Sequence, residues 1–279
     1  MIDTIKSVAI IGLGVCGGIL LSDYIKKNIS VELEKETSNG KIRRKEDYMN
    51  KMIDNVTDNN NQLGDHITEE QSANIGNGSF TDLPIGSYWI IHGVNFRIMA
   101  HDQFYGYNGI DTHHVVVMPD SLHSTQIYNI TNTNRGGYYN SELKKYIEDT
   151  YNPYITSIFG LNHVLSHTHD LTDGTADNGK LVSTANTIAW LVNSYNVNGS
   201  KCEFETSYSW QNADKIQFPA FKNDSNLKIA KHNRLVNWWW LGSSGSFDST
   251  CFCIIEYSGD MDADGASYSY GIRPAFLVY

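Results

Sequence analysis

"NWWWLGSSGSFDSTCFCIIEYSGDMDADGASYSYGIRPAFLVY" runs from Asn237 to Tyr279 and closes the chain. Three tryptophans open it, and an apolar run behind "GIRP" ends it. Between these anchors Ser, Asp, Gly and Tyr dominate. Short apolar runs such as "CFCII" and "AFLV", bounded by turn residues, predict three or four strands. Heavy apolar residues at both ends tie the segment to a core, so the residues between them are free to serve binding. Cys251 and Cys253 would share a strand face roughly 7 Å apart, a poor spacing for a bridge. They read as small buried hydrophobes, and the protein as one assembled in a reducing compartment.

Upstream, the pattern stays β-rich back to Ser79. "GSYWIIHGVNFRIMAHDQF" reads as two strands joined at His92-Gly93. "THHVVVMPDSL" reads as a buried strand ended by Pro119-Asp120. Leu143, Ile147 and Tyr151 carry helical spacing, with Ser141 near the start, Gly160 at the end and Pro153 dividing the helix in two. A second helix is expected over "STANTIAWLVNSY", with Ile188, Leu191 and Val192 on one face. Strands, two helices, then strands predict an α+β domain with an antiparallel sheet. Its boundary is expected between residues 64 and 78, which gives an N-terminal segment 1–75 and a domain 76–279.

The 279 residues fit one large domain or two ordinary ones. A formal net charge of −10 offers no basic footprint, so no nucleic-acid partner is expected. Seventeen tyrosines with abundant Asn, Ser and Gly fit a recognition surface, and equally a β-rich chain with many turns. Ser7 to Leu21 is apolar but shorter than the ~20 residues of a spanning helix, so no membrane span is expected. Gly12, Gly14 and Gly17 match a dinucleotide fingerprint without the βαβ pattern it needs. The segment reads instead as an assembly anchor. Met49, Ile53, Val56, Asn60, Leu63 and Ile67 follow heptad spacing, which suggests a short coil and a homo-oligomer, a trimer; the alternative is one amphipathic helix on the domain.

Two clusters could bind metal. His163, His167, His169 and Asp170 read as polar residues around an element end or as a zinc site, although no single backbone conformation presents all three histidines together. "DMDADG" copies the first half of a calcium loop, but position 12 is Gly271 where a bidentate Glu is needed, so an acidic turn is the expectation. No metal and no cofactor is expected. Catalytic motifs of the G-x-S-x-G or P-loop type are missing, and the chain reads as a non-enzyme.

"WWWLGSSGS…FCIIEYSGDM…GASYSYGIRPAF" resembles the C-terminal half of a C-type-lectin-like group found in phage structural proteins. "ITEEQSANIGNGSFTDLPIGSYWIIHGVNFRI" and "NITNTNRGGYYNSEL" extend the likeness over about residues 67 to 279. Related domains include the variable receptor-binding proteins of diversity-generating retroelements. The resemblance implies a C-type-lectin-like fold behind an N-terminal helical, oligomerising segment. It implies scaffold roles for Trp239, Leu241, Phe252, Gly271, Arg273, Pro274 and Phe276. It implies display, within 237–279, by Ser246, Phe247, Asp248, Ser249, Ile254, Glu256, Tyr257, Asp260, Asp262, Asp264, Ser267, Tyr268 and Tyr270. The match departs at Gly242, where Arg is common. The function implied is that of a virion protein, in the tail or elsewhere on the particle surface, binding a bacterial surface protein or glycan. The alternatives are a collar, baseplate or head-decoration piece binding other virion proteins, and an enzyme of the formylglycine-generating type, which shares the fold.

Overall fold

His92 and Gly93 both adopt left-handed backbone, φ 50° and 78°, and so close the predicted two-residue hairpin between β2 (Tyr88–Ile91) and β3 (Val94–His101). The computed structural model describes residues 61–107, 109–173, 181–208, 210, 213–246 and 248–279, with the backbone only of 181–186. All of them belong to one unit, Asn59–Tyr279.

The hairpin lies in a six-stranded sheet ordered β1-β2-β3-β4-β15-β8. Here β1 is Gln62–Gly64, β4 Val115–Pro119, β8 Ala189–Trp190 and β15 Ala275–Val278. Every residue of β4 and β15 is buried, because both are inner strands covered on both faces. Only the β1–β2 pair is parallel; β2 through β8 pair antiparallel. A second sheet has five strands in the order β13-β12-β11-β14-β5: β5 Ser124–Ile127, β11 Trp239–Ser244, β12 Cys251–Ile255, β13 Met261–Gly265 and β14 Ser269–Ile272. Two-stranded ribbons, β6 (His167–Thr172) with β7 (Leu181–Thr187) and β9 (Ala230–His232) with β10 (Leu235–Asn237), complete the sheets. The fold is α+β, mostly sheet with few helices.

The C-terminal 43 residues supply five strands, one more than expected at most. Ser141, expected near the helix start, is its N-cap, the hydroxyl accepting from the Lys144 amide at 3.0 Å. Pro153 does not break it. Helix α2 (Glu142–Tyr146) runs through a π turn (Ile147–Tyr151) into α3 (Asn152–Phe159), and Pro153, which has no N–H to donate, sits just after the π turn, where the α ladder is already interrupted.

Three expectations are corrected. The predicted helix over residues 183–195 is strand β7 followed by β8; only Ser194–Asn198, α4, is helical. Thr187, Ile188 and Val192 are β-branched, and ladder partners in β6 and β15 override the weak helical spacing. Leu63 lies in β1 and Ile67 in the loop before α1 (Glu69–Gly76), so neither belongs to a coil; the rest of the seam and the Ser7–Leu21 segment lie outside the described residues. The Thr68–Gln71 capping box starts α1, and the Gln71 side chain accepts from Trp89 Nε1 at 3.0 Å, tying α1 to β2. The unit therefore opens near Asn59, ahead of the expected break at residues 64–78. Third, "DMDADG" is mostly strand β13, not a turn. Its extended backbone pairs residue by residue with β12.

Candidate functional site

Alternation along the five-stranded sheet sorts the C-terminal segment into two faces. Ladder partners Trp240–Ile254, Ile254–Asp262, Phe252–Asp264 and Tyr270–Gln126 mark one face; Trp239, Cys253 and Ala263 belong to the other. On the first face a ridge of rings crosses the sheet diagonally. Tyr257, in the β12–β13 turn, lies 5.3 Å from Trp238, which lies 5.2 Å from Tyr270. Tyr270 lies 4.8 Å from Trp240 and 6.3 Å from Tyr268, in the β13–β14 turn. Trp240 is fully buried and donates its indole N–H to the Gln126 carbonyl at 2.9 Å. Tyr257 and Tyr268 are 41% and 57% exposed. The Trp238 indole N–H has no partner.

Carboxylates flank the ridge. Asp264 accepts the Tyr270 hydroxyl, and burial, then that carboxylate, push the Tyr270 phenol well up. Partial desolvation raises the Glu256 carboxyl, and contact with Asp262 and the charge of Asp260 raise it further. Among the described residues no Lys or Arg forms an ion pair with Glu256, Asp260, Asp262 or Asp264. The face thus offers flat rings flanked by acidic side chains, while the Trp238 indole N–H is buried beneath it.

The structure gathers Glu256, Tyr257, Asp260, Asp262, Asp264, Tyr268 and Tyr270 along this ridge and its edges. Ser246, Asp248, Ser249 and Ser267 lie at the end nearest Tyr268, where the β11–β12 and β13–β14 turns meet. Asp248 has a local duty there: its Oδ1 accepts from the Thr250 amide at 2.6 Å and the Cys251 amide at 3.1 Å. Some desolvation works against its charge, but these bonds hold its carboxyl below the usual range. Phe247 lies outside the described residues. Ile254 is a correction: it is fully buried, at the middle of a central strand between Trp240 and Asp262, and displays nothing. Trp238 is the ridge residue that sequence reading missed. The signal was present, because in an extended "WWW" the first and third rings face away from the second.

A family model described as a domain of unknown function, DUF6273, matches residues 112–279. The chain belongs to that family. No curated protein and no solved structure matches it. The match starts at Thr112, just before β4, and takes in the whole five-stranded sheet.

Within this DUF6273 domain the seven scaffold positions are all buried. Arg273 is 1% exposed; its Nε donates to the Pro119 carbonyl at 2.5 Å and its guanidinium lies 5.5 Å from the Phe221 and Trp239 rings. Burial pulls its pKa down to about 10. Gly242 is bare because a Cβ would stand 2.7 Å from the Leu191 carbonyl oxygen, which explains why a longer residue is excluded. At Gly271 a Cβ would meet Leu122 at 2.2 Å.

The histidine cluster divides. His167 and His169 lie on β6, whereas His163 sits in a 3-10 turn and contacts the Ser72 hydroxyl at 3.0 Å. Sequence reading also missed a thiol contact. Cys202 and Cys253 interact directly, which lowers the Cys202 thiol and raises that of Cys253, and both are fully buried. Among the described residues no helix is long and apolar enough to cross a membrane.

Proposed function

We propose that this chain is a non-enzymatic recognition protein whose aromatic, acidic face binds a bacterial surface ligand, a protein or a glycan. The observation that carries this is the ridge Tyr257–Trp238–Tyr270–Tyr268, exposed at both ends, with carboxylates beside it that form no ion pair among the described residues. Tyrosine and tryptophan give large contact area with few rotors, and their faces stack on apolar or sugar surfaces while their polar atoms hydrogen-bond. Tyr257 and Tyr268, 41% and 57% exposed, are available to a partner. Placement on a phage virion, in the tail or elsewhere on its surface, rests on the resemblance to phage lectin-like proteins. The buried thiol pair favours no catalytic reading, since a substrate cannot reach fully buried sulfurs while the sheet is closed.

The test is binding to intact bacterial cells and to a glycan array. Changing Tyr257 and Tyr268 to Ala should weaken binding about 30-fold for each ~2 kcal/mol of hot-spot energy lost. Thermal unfolding of the same variants should move little. Equal binding by wild type and double variant would sink the proposal.

A further inference from the structure

Away from that face, unpartnered polar atoms gather in one buried place. Eight buried side-chain atoms lack a hydrogen-bond partner among the described residues, and five of them belong to four neighbouring residues: His167 Nε2, Thr187 Oγ1, Trp190 Nε1 and both carboxylate oxygens of Asp214. Thr187 faces His167 across the β6–β7 ladder. The Trp190 ring lies 5.2 Å from that of His167 and 4.7 Å from that of His169. His169 Nε2 stands 3.9 Å from Asp214 Oδ1. His167, His169 and Asp214 are 6%, 3% and 0% exposed. Single orphans are ordinary in a folded protein, but five side by side call for a missing partner. A carboxylate buried without any donor is costly unless it is neutralised or coordinated.

We propose that His167, His169 and Asp214 form a binding site for a divalent transition-metal ion of the zinc type. The two histidines, two residues apart on a strand, present their rings to one side. The Leu165 carbonyl lies 3.3 Å from His167 Nδ1, which places the proton there and leaves the Nε2 lone pair turned inward, as in metal-binding histidines. Asp214 is fixed by its backbone: its carbonyl accepts from the side-chain amides of Asn193 at 3.1 Å and Asn196 at 3.2 Å. Bonds of ~2.0–2.2 Å in a tetrahedral site set ligand atoms about 3.4 Å apart. The 3.9 Å gap between His169 and Asp214 therefore needs about half an ångström of side-chain movement. Among the described residues no three ligating groups already meet at one point, so the ion would draw them together. A cavity of about 300 Å³, lined among others by Ile110 and Ser166, borders the site at His167.

The experiment uses the full chain without a polyhistidine tag, stripped of metal and titrated with Zn²⁺ by calorimetry and with Co²⁺ by visible absorption. One equivalent should bind, the melting temperature should rise by several degrees, and Co²⁺ should show the intense bands of a four-coordinate site. Asp214→Asn and His167→Gln keep side-chain volume and should melt cooperatively without metal, yet lose the metal-dependent rise. Should His167→Gln fail to fold, Asp214→Asn alone decides. No uptake by the wild type, or a rise that persists in Asp214→Asn, would overturn the site and leave ordered water as the partner of these atoms.

Discussion

At the scale of single residues, burial separates positions that the sequence presents as alike. Trp238, Trp239 and Trp240 are adjacent, but Trp239 packs into the core and donates to the Lys228 carbonyl at 2.9 Å, while Trp238 belongs to the ridge. Trp239→Ala should cost ~3–5 kcal/mol of stability through the cavity it leaves, measured by denaturant unfolding. Tyr268→Ala, at a site 57% exposed, should cost under roughly 0.5 kcal/mol. A Tyr268 variant as unstable as the Trp239 one would mean the ridge is core, and the recognition reading would go with it. Gly242→Ala should destabilise by ~1–3 kcal/mol, because strand β11 cannot move away from the Leu191 carbonyl without disturbing its own ladder. An unchanged midpoint there would show that the close approach relaxes freely.

At the scale of elements, the ribbon β6–β7 and the turn holding Asp214 give a pH signature. Burial, then the charge of Asp170, raise the Asp214 carboxyl to about 8. The folded chain then binds more protons than the unfolded one between the ordinary carboxylate pKa, near 4, and about 8, so stability falls as pH rises through that window. His167, lowered by burial to about 4, acts oppositely: its unfolded form takes a proton below ~6.5, so stability falls as pH drops from there. His101, His114, His123 and His169 are lowered in the same sense as His167, and their opposing effect fades above pH 6.5; from there to about 8 the Asp214 effect is best read. Metal-free wild type should lose stability across that range, and Asp214→Asn should flatten the slope. A slope unchanged in the variant would assign it to another group. In the β11–β12 turn, Asp248→Ala removes acceptors from two backbone amides and one hydroxyl. It should cost about 1 kcal/mol of stability, read from the denaturant midpoint.

At the scale of the whole molecule, β1 and α1 belong to the same sheet system as the C-terminal strands. The Ser72 hydroxyl donates to the Tyr279 main-chain oxygen at 3.1 Å, so α1 and the end of β15 hold each other. A chain of residues 59–279 should unfold as cooperatively as the full one. A chain starting at Asn77 should melt lower or not fold, since it strips β1 and α1 from the sheet edge and uncovers Trp89. Equal melting of the two shortened chains would show that α1 is an accessory. Light scattering of the full chain against residues 59–279 tests the trimer expected from the heptad spacing, with a larger mass only for the full chain.

The sequence by itself determined the sheet-rich α+β class, the His92-Gly93 hairpin, the Ser141 cap and the buried anchors of the C-terminal segment. Each rests on local chemistry: turn conformation, a side chain reaching its own backbone, or apolar residues at period two. Tyr257 and Tyr268 were singled out by the family resemblance, and the structure leaves both exposed in turns. What only the tertiary structure decided depends on partners distant in the chain. Residues 183–195 became strands because β6 and β15 offered ladders that local spacing does not report. Ile254 went inside because strands on both sides flank it. Asp214 met His169, and Cys202 met Cys253, across separations of 45 and 51 residues, which no periodicity encodes. Local rules specify what a segment can be, whereas burial of a particular side chain is fixed only when every neighbouring element has taken its place.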